Sequence, residues 1–175
     1  IADPRIDPAH DEILEVVDGA GRGRTRHAPL RTVTNLFSQY DLDPGDNVYV
    51  DAGTHTYRVR VPAADADGTV AAPITFVGPT NGAVARFQGT GGFSNGWSLS
   101  NAANVRIRSV TVGGFRMGVY VVGLSSNITV RGVSAISNDL YGICFSGSGV
   151  RGGVAVSNIA EGRAYQEIGL VADQN

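Results

Sequence analysis

Few side chains in this sequence could do chemistry. All 14 basic residues are Arg and Lys is absent. That removes a phosphate-binding P-loop lysine, a Schiff-base lysine and a Ser–Lys pair. His10, His27, His55 and the single Cys144 are scattered, whereas a zinc site needs such ligands at short, paired spacings. Gly92-Phe-Ser-Asn-Gly96 spells the G-x-S-x-G nucleophile elbow, but that motif needs a helix after it and a later histidine. All three histidines precede it. Gly19-Ala-Gly-Arg-Gly23 lacks the third glycine of a dinucleotide loop, because Arg24 stands in its place. No cofactor is therefore expected. Calcium, which takes about six to eight oxygens, is left open only at Asp41, Asp43 and Asp46 or at Asp65 and Asp67. In those stretches Asp and Gly also serve as ordinary turn residues.

Two constellations remain. Acid–base cleavage of a glycosidic bond calls for carboxyl groups on both sides of it. No acid occurs from residue 68 to residue 138, which leaves Asp139, Glu161, Glu167 and Asp173 after the gap. Asp139, Tyr141 and Arg116 meet if Gly118 and Gly142 are equivalent positions, and they form the best catalytic set the chain offers. The other constellation is arginine. Arg108, Arg131 and Arg151 recur in matching segments and would project as a row from one face. Three guanidinium groups so placed suit carboxylate or sulfate groups along a sugar chain.

Either set must be positioned by a repeat, and the sequence contains one. Asn104-Val-Arg-Ile-Arg-Ser-Val matches Asn127-Ile-Thr-Val-Arg-Gly-Val at a spacing of 23, and Val130-Arg-Gly-Val-Ser-Ala-Ile-Ser-Asn138 matches Val150-Arg-Gly-Gly-Val-Ala-Val-Ser-Asn158 at a spacing of 20. A second series, Gly96-Trp, Gly118-Val, Gly142-Ile and Gly169-Leu, interleaves with the first at spacings of 22, 24 and 27. Such periods with short β-branched strands mean a solenoid. The fixed Leu/Asn frame of leucine-rich repeats is missing, and a propeller blade needs about 40 residues. What is left is a parallel β-helix. Val105/Ile107, Val119/Val121, Ile128/Val130 and Ile143/Phe145 are its expected inward pairs. Asn104 over Asn127, and Asn138 over Asn158, are its expected corner ladders.

Composition agrees with one domain. The chain has 175 residues, 42% hydrophobic and 17% charged, with 24 Gly, too apolar for disorder and long enough for a single core. No run of about 18 apolar residues occurs, so no membrane insertion is expected. Residues 1–67 hold 12 acids and 7 Arg, whereas residues 68–175 hold 4 acids and 7 Arg. The second stretch is thus weakly basic and favours anionic partners, but the net charge of −2 is far from that of a nucleic-acid binder.

At the N-terminal side, residues 18–28 read as a Gly/Arg-rich loop. Leu30, Val33, Leu36, Phe37 and Tyr40 share one helical face over 29–40, and Val48-Tyr49-Val50 reads as a strand. The expected division is 1–47, loop and capping helix, and 48–175, β-helix. No signal peptide is visible at the start. The segment Pro29–Tyr57, with Pro44-Gly-Asp-Asn-Val-Tyr-Val50, resembles the cap of right-handed parallel β-helix proteins of the pectin-lyase-like superfamily. The resemblance implies an all-β solenoid with an N-terminal capping helix. It also implies either a non-catalytic module of a bacterial extracellular or surface protein, or a polysaccharide lyase or epimerase.

The acid-free middle favours the first. The expected function is a scaffold binding acidic polysaccharide through Arg108, Arg131 and Arg151. The alternative is a lyase or epimerase whose site is completed outside this chain. Ala160–Glu167 reads as a lateral loop, which leaves the C-terminal coil without a lid and predicts a homodimer through residues near 150–172.

Overall fold

The computed structural model describes residues 13–16, 30–64, 67–92, 94–162 and 170–173. The 18–28 loop, Asp65, Glu167 and Gly169 therefore lie outside the described residues. Strand β1 (Ile13–Val16) and helix α1 (Val33–Gln39) precede five coils of three strands each. These are β2 (Asn47–Val50), β3 (Gly53–His55) and β4 (Val59–Val61); then β5 (Ile74–Val77), β6 (Ala85–Gln88) and β7 (Asn95–Ser100). The third coil holds β8 (Val105–Arg108), β9 (Val110–Gly113) and β10 (Met117–Val122), and the fourth β11 (Thr129–Arg131), β12 (Ser134–Asn138) and β13 (Tyr141–Ser146). The fifth holds β14 (Val154–Val156), β15 (Ile159–Gly162) and β16 (Leu170–Asp173).

Each strand pairs in parallel with its counterpart one coil away. The first sheet runs β1-β2-β5-β8-β11-β14, the second β3-β6-β9-β12-β15 and the third β4-β7-β10-β13-β16. The chain is an all-β parallel β-helix, as the repeat predicts. Val105, Ile107, Val119, Val121, Ile128, Val130 and Ile143 are fully buried and Phe145 nearly so, because alternate residues of a strand share a face.

The corners follow from small and amide side chains that accept a left-handed backbone. Asn104, Asn127 and Gly152 occupy one corner at φ +54°, +53° and +61°; Ser109, Gly132 and Ser157 occupy the next at +56°, +61° and +54°. Asn127 Nδ2 donates to Asn104 Oδ1 at 3.0 Å, so that ladder is real. The ladder expected between Asn138 and Asn158 is not. Asn138 Oδ1 accepts from Phe115 N, and its Nδ2 donates to Val112 O. Asn158 makes the same clamp elsewhere, on Val133 N and Val130 O. Both amides satisfy the main chain of the preceding coil, but at different corners.

Helix α1 is shorter than expected because Thr32 caps it: its Oγ1 accepts from Asn35 N at 3.0 Å. Its buried face, Val33, Leu36 and Phe37, joins the solenoid core, with Phe37 against Phe76 at 6.0 Å between ring centroids. Replacing Thr32 by Ala should cost about 1 kcal/mol, the usual value of an N-cap oxygen, read as a shift of the urea midpoint. A change below a few tenths of that would show that packing alone holds the helix. β1, within the stretch read as loop and cap, pairs with β2 from Ile13↔Asn47 to Val16↔Val50. Ala160 to Gly162 belong to β15 rather than to a lateral loop.

Candidate functional site

The outer face of the first sheet carries the basic cluster. On β8 the exposed Arg106 and Arg108 flank the buried Ile107, and Arg131 of β11 pairs with Arg108. Parallel strands lie about 4.8 Å apart and alternate residues of one strand about 6.8 Å apart. Three guanidinium groups thus originate from a patch roughly 5 by 7 Å. Thr129 pairs with Arg106 and Thr75 does so from the other side. In the Arg108 column follow Val77 and then Tyr49, a residue 40% exposed. No acidic residue occurs in β5, β8, β11 or β14.

This corrects the expected row. Arg131 stacks on Arg108, but the next coil places Val156 beside it, and Arg151 pairs with Ser126 in a corner column that continues to Ala103 and Asp67. The spacing between the fourth and fifth coils is 25 residues, from Arg131 to Val156, not 20. The repeated Val-Arg-Gly falls in the corner at 147–153, before β14, rather than in the strand. A side chain at Gly153 would meet the Phe145 ring at 2.6 Å, and one at Gly149 would meet Gly123 O at 2.5 Å. That corner lies over 123–127, so β14 begins later. Arg106 takes the third place in the cluster. Its signal was present in the sequence as the alternation Val105-Arg-Ile-Arg108.

The catalytic candidates do come to one corner, between the second and third sheets. Asp139 N donates to Phe115 O, and Leu140 N to Arg116 O, each at 2.7 Å. Tyr141 pairs with Met117. Asp139 Oδ2 accepts from Gly92 N at 3.2 Å, and so ties the 89–92 loop across two coils. Arg116 is exposed and Tyr141 half-buried. Gly92-Phe-Ser-Asn-Gly96 leads into strand β7 rather than into a helix. Asp46 Oδ2 accepts from Asp43 N at 2.9 Å and closes that turn. Cys144, in the outward phase beside Tyr120, is nonetheless buried.

Fold and site together define a parallel β-helix protein with a basic face. Among solved structures, that of the pectate lyase Pel9A resembles it with a TM-score of 0.59 at 16% identity, covering 84% of this chain and 46% of that one. A rhamnogalacturonan lyase resembles it with a TM-score of 0.55 at 14% identity, covering 91% and 56%. The chain spans about half the length of either. At these identities the likeness is one of fold. No family model and no curated protein matches the chain.

Proposed function

We propose that this chain is a scaffold module of an extracellular or cell-surface protein and binds acidic polysaccharide on its first sheet. One observation carries the reading: the register that sets Arg131 beside Arg108, with Arg106 two residues away on the same face. A polyuronate presents carboxylates at regular intervals, and a guanidinium grips each through two parallel hydrogen bonds. Thr129, partly exposed beside Arg106, lies on the face that would meet sugar hydroxyls. Tyr49 offers an amphipathic ring two coils away.

The test is binding to polygalacturonate or alginate at low salt. Arg131→Ala should weaken affinity about three- to tenfold, from roughly 1 kcal/mol per exposed charge-assisted contact. Arg106→Ala and Arg108→Ala should act alike. Arg86 lies on the second sheet and Arg151 in a corner; substituting either should change little. Affinity should also fall steeply between about 0.05 and 0.5 M salt, where screening becomes severe. Equal losses at Arg86 and Arg131, or no binding at low salt, would reduce the cluster to plain surface.

The lyase or epimerase reading rests on the corner that joins Arg116, Asp139 and Tyr141. Its lyase form requires that incubation with polyuronate, with and without calcium, produce unsaturated ends absorbing in the ultraviolet; its epimerase form makes no double bond and requires instead inversion at C5, read by proton NMR of the recovered polymer. Either signal should vanish in Asp139→Asn and in Arg116→Ala. Silence of the wild-type protein in both assays ends this reading for the isolated chain.

A further inference from the structure

A cleft of about 250 Å³ lies where the first sheet turns into the second, at the edge of the face that carries the arginines. Tyr49 and Asp51 form one side of it, and Pro79, Thr80 and Asn81 the other. Strand alternation continues past the end of β2, so that Tyr49 and Asp51 are exposed while Val48 and Val50 are buried. The opposite wall is the 78–84 loop, pinned at both ends of its base. Gly78 N donates to Arg108 O, and Val84 O accepts from Gly53 N, each at 2.9 Å. Asp51 Oδ1 accepts from Ala52 N at 2.8 Å, which leaves Oδ2 to accept from a ligand. Asn81 Oδ1 accepts from Ala83 N at 3.3 Å, which leaves Nδ2 to donate. The volume is below the roughly 300–1,000 Å³ of clefts that enclose drug-sized ligands, and suits one sugar ring.

The position of the cleft gives it a meaning for the arginine cluster. Tyr49 stands in the same column as Arg108 and Arg131, two and three coils away, or about 10 and 14 Å along the stack. Along that line the surface passes from two guanidinium groups to an aromatic ring with a carboxylate beside it. The two ends select opposite chemistry. A uronate suits the guanidinium groups and is repelled by Asp51, whereas a neutral ring can lay its apolar face on Tyr49 and donate hydroxyls to Asp51. We propose that this cleft takes a neutral sugar residue, stacked on Tyr49 and hydrogen-bonded to Asp51 Oδ2 and Asn81 Nδ2, of a glycan whose uronates lie on Arg108 and Arg131. The inference rests on the acidic-polysaccharide reading above and narrows it. The preferred ligand carries charged and neutral residues in one chain and is not an unbroken polyuronate.

The experiment is calorimetric titration at low salt with hexagalacturonate and with the same chain carrying a neutral galactose at its reducing or its non-reducing end. Both ends are tested because the column admits a chain in either direction. One neutral-ended form should bind the wild type about three- to tenfold more tightly than hexagalacturonate, through the ring contact and the relief of one like-charge pair. Tyr49→Ala should remove that preference and leave hexagalacturonate unchanged, and Tyr49→Phe should retain it. Asp51→Asn should move the ligands in opposite directions: hexagalacturonate binds about two- to fivefold more tightly, and the preferred neutral-ended form more weakly. A loss of stability would move all ligands alike and cannot produce that crossing. Arg108→Ala/Arg131→Ala should weaken all three. Equal binding of the three forms by the wild type would overturn the neutral-sugar site and leave the arginine cluster standing. A shift of every ligand in the same direction by Asp51→Asn would do the same. No binding of any form would overturn both readings.

Discussion

Replacing Trp97 with alanine should destabilise the protein by about 3–5 kcal/mol, the range for deleting a large buried aromatic side chain. Trp97 is fully buried and stands edge-on to two rings, Phe76 at 5.4 Å and Phe87 at 5.1 Å. Phe76 contacts Phe37 of the capping helix, and Phe87 contacts His55 and Tyr57. The indole thus links the cap to the second coil, and each edge-to-face contact adds about 0.5–1.5 kcal/mol beyond burial. Set against a typical total of about 5–15 kcal/mol, the loss would leave a substantial unfolded fraction. Urea unfolding followed by far-ultraviolet circular dichroism measures it, since Trp97 is the sole tryptophan and its fluorescence is lost with it. Trp97→Phe should cost much less, roughly 1–2 kcal/mol of packing. Its Nε1 is buried and meets no acceptor among the described residues, so removing that donor breaks no hydrogen bond to them. A midpoint for Trp97→Ala matching that of Trp97→Phe would show that the aromatic column does not carry the core.

Gly118→Ala should be the second large effect, near 3 kcal/mol at the upper end of overpacking costs. A Cβ there would lie 2.5 Å from Gly142 O, 2.9 Å from Asn138 Nδ2 and 3.2 Å from Ala135 Cβ. The carbonyl is main chain in the next coil, and Asn138 is held by its clamp on Phe115 and Val112, so neither can yield cheaply. The same is true on either side, where Gly96 faces Gly118 O at 2.7 Å and Gly142 faces Ala160 Cβ at 2.8 Å. Gly82 is the control. Its φ of +87° is strained for alanine, but nothing lies within 4 Å, so Gly82→Ala should cost only about 1 kcal/mol from the backbone conformation. Similar midpoints for the two variants would mean that the third-sheet corner opens more easily than its contacts imply.

The same glycine series shows why so much of the fold was legible in the sequence. Gly96, Gly118 and Gly142 align across β7, β10 and β13, because each occupies a close approach that excludes a Cβ. The inward β-branched pairs and the Asn104–Asn127 ladder were legible for a related reason. Each is a chemical requirement met by a narrow set of residue types at matching positions of successive coils. Arg106 was visible as an outward residue, yet its membership of a cluster depended on which strand lay beside it.

Val-Arg-Gly marks the boundary of what local sequence determined. It occurs at Val130-Arg-Gly132, closing β11, and again at Val150-Arg-Gly152, in the corner before β14, and both glycines take φ +61°. The matching segments do encode the same left-handed turn, because that conformation is set by the glycine itself. Which corner the turn occupies is not a local property. Gly132 donates to Val156 O, whereas Gly152 sits over Asn127, whose Oδ1 would lie 2.7 Å from an added Cβ. Inter-strand hydrogen bonds and the filling of the interior by Phe145 decide the register of the fifth coil. That register moved Arg151 out of the basic face and left Arg106, Arg108 and Arg131 together on it.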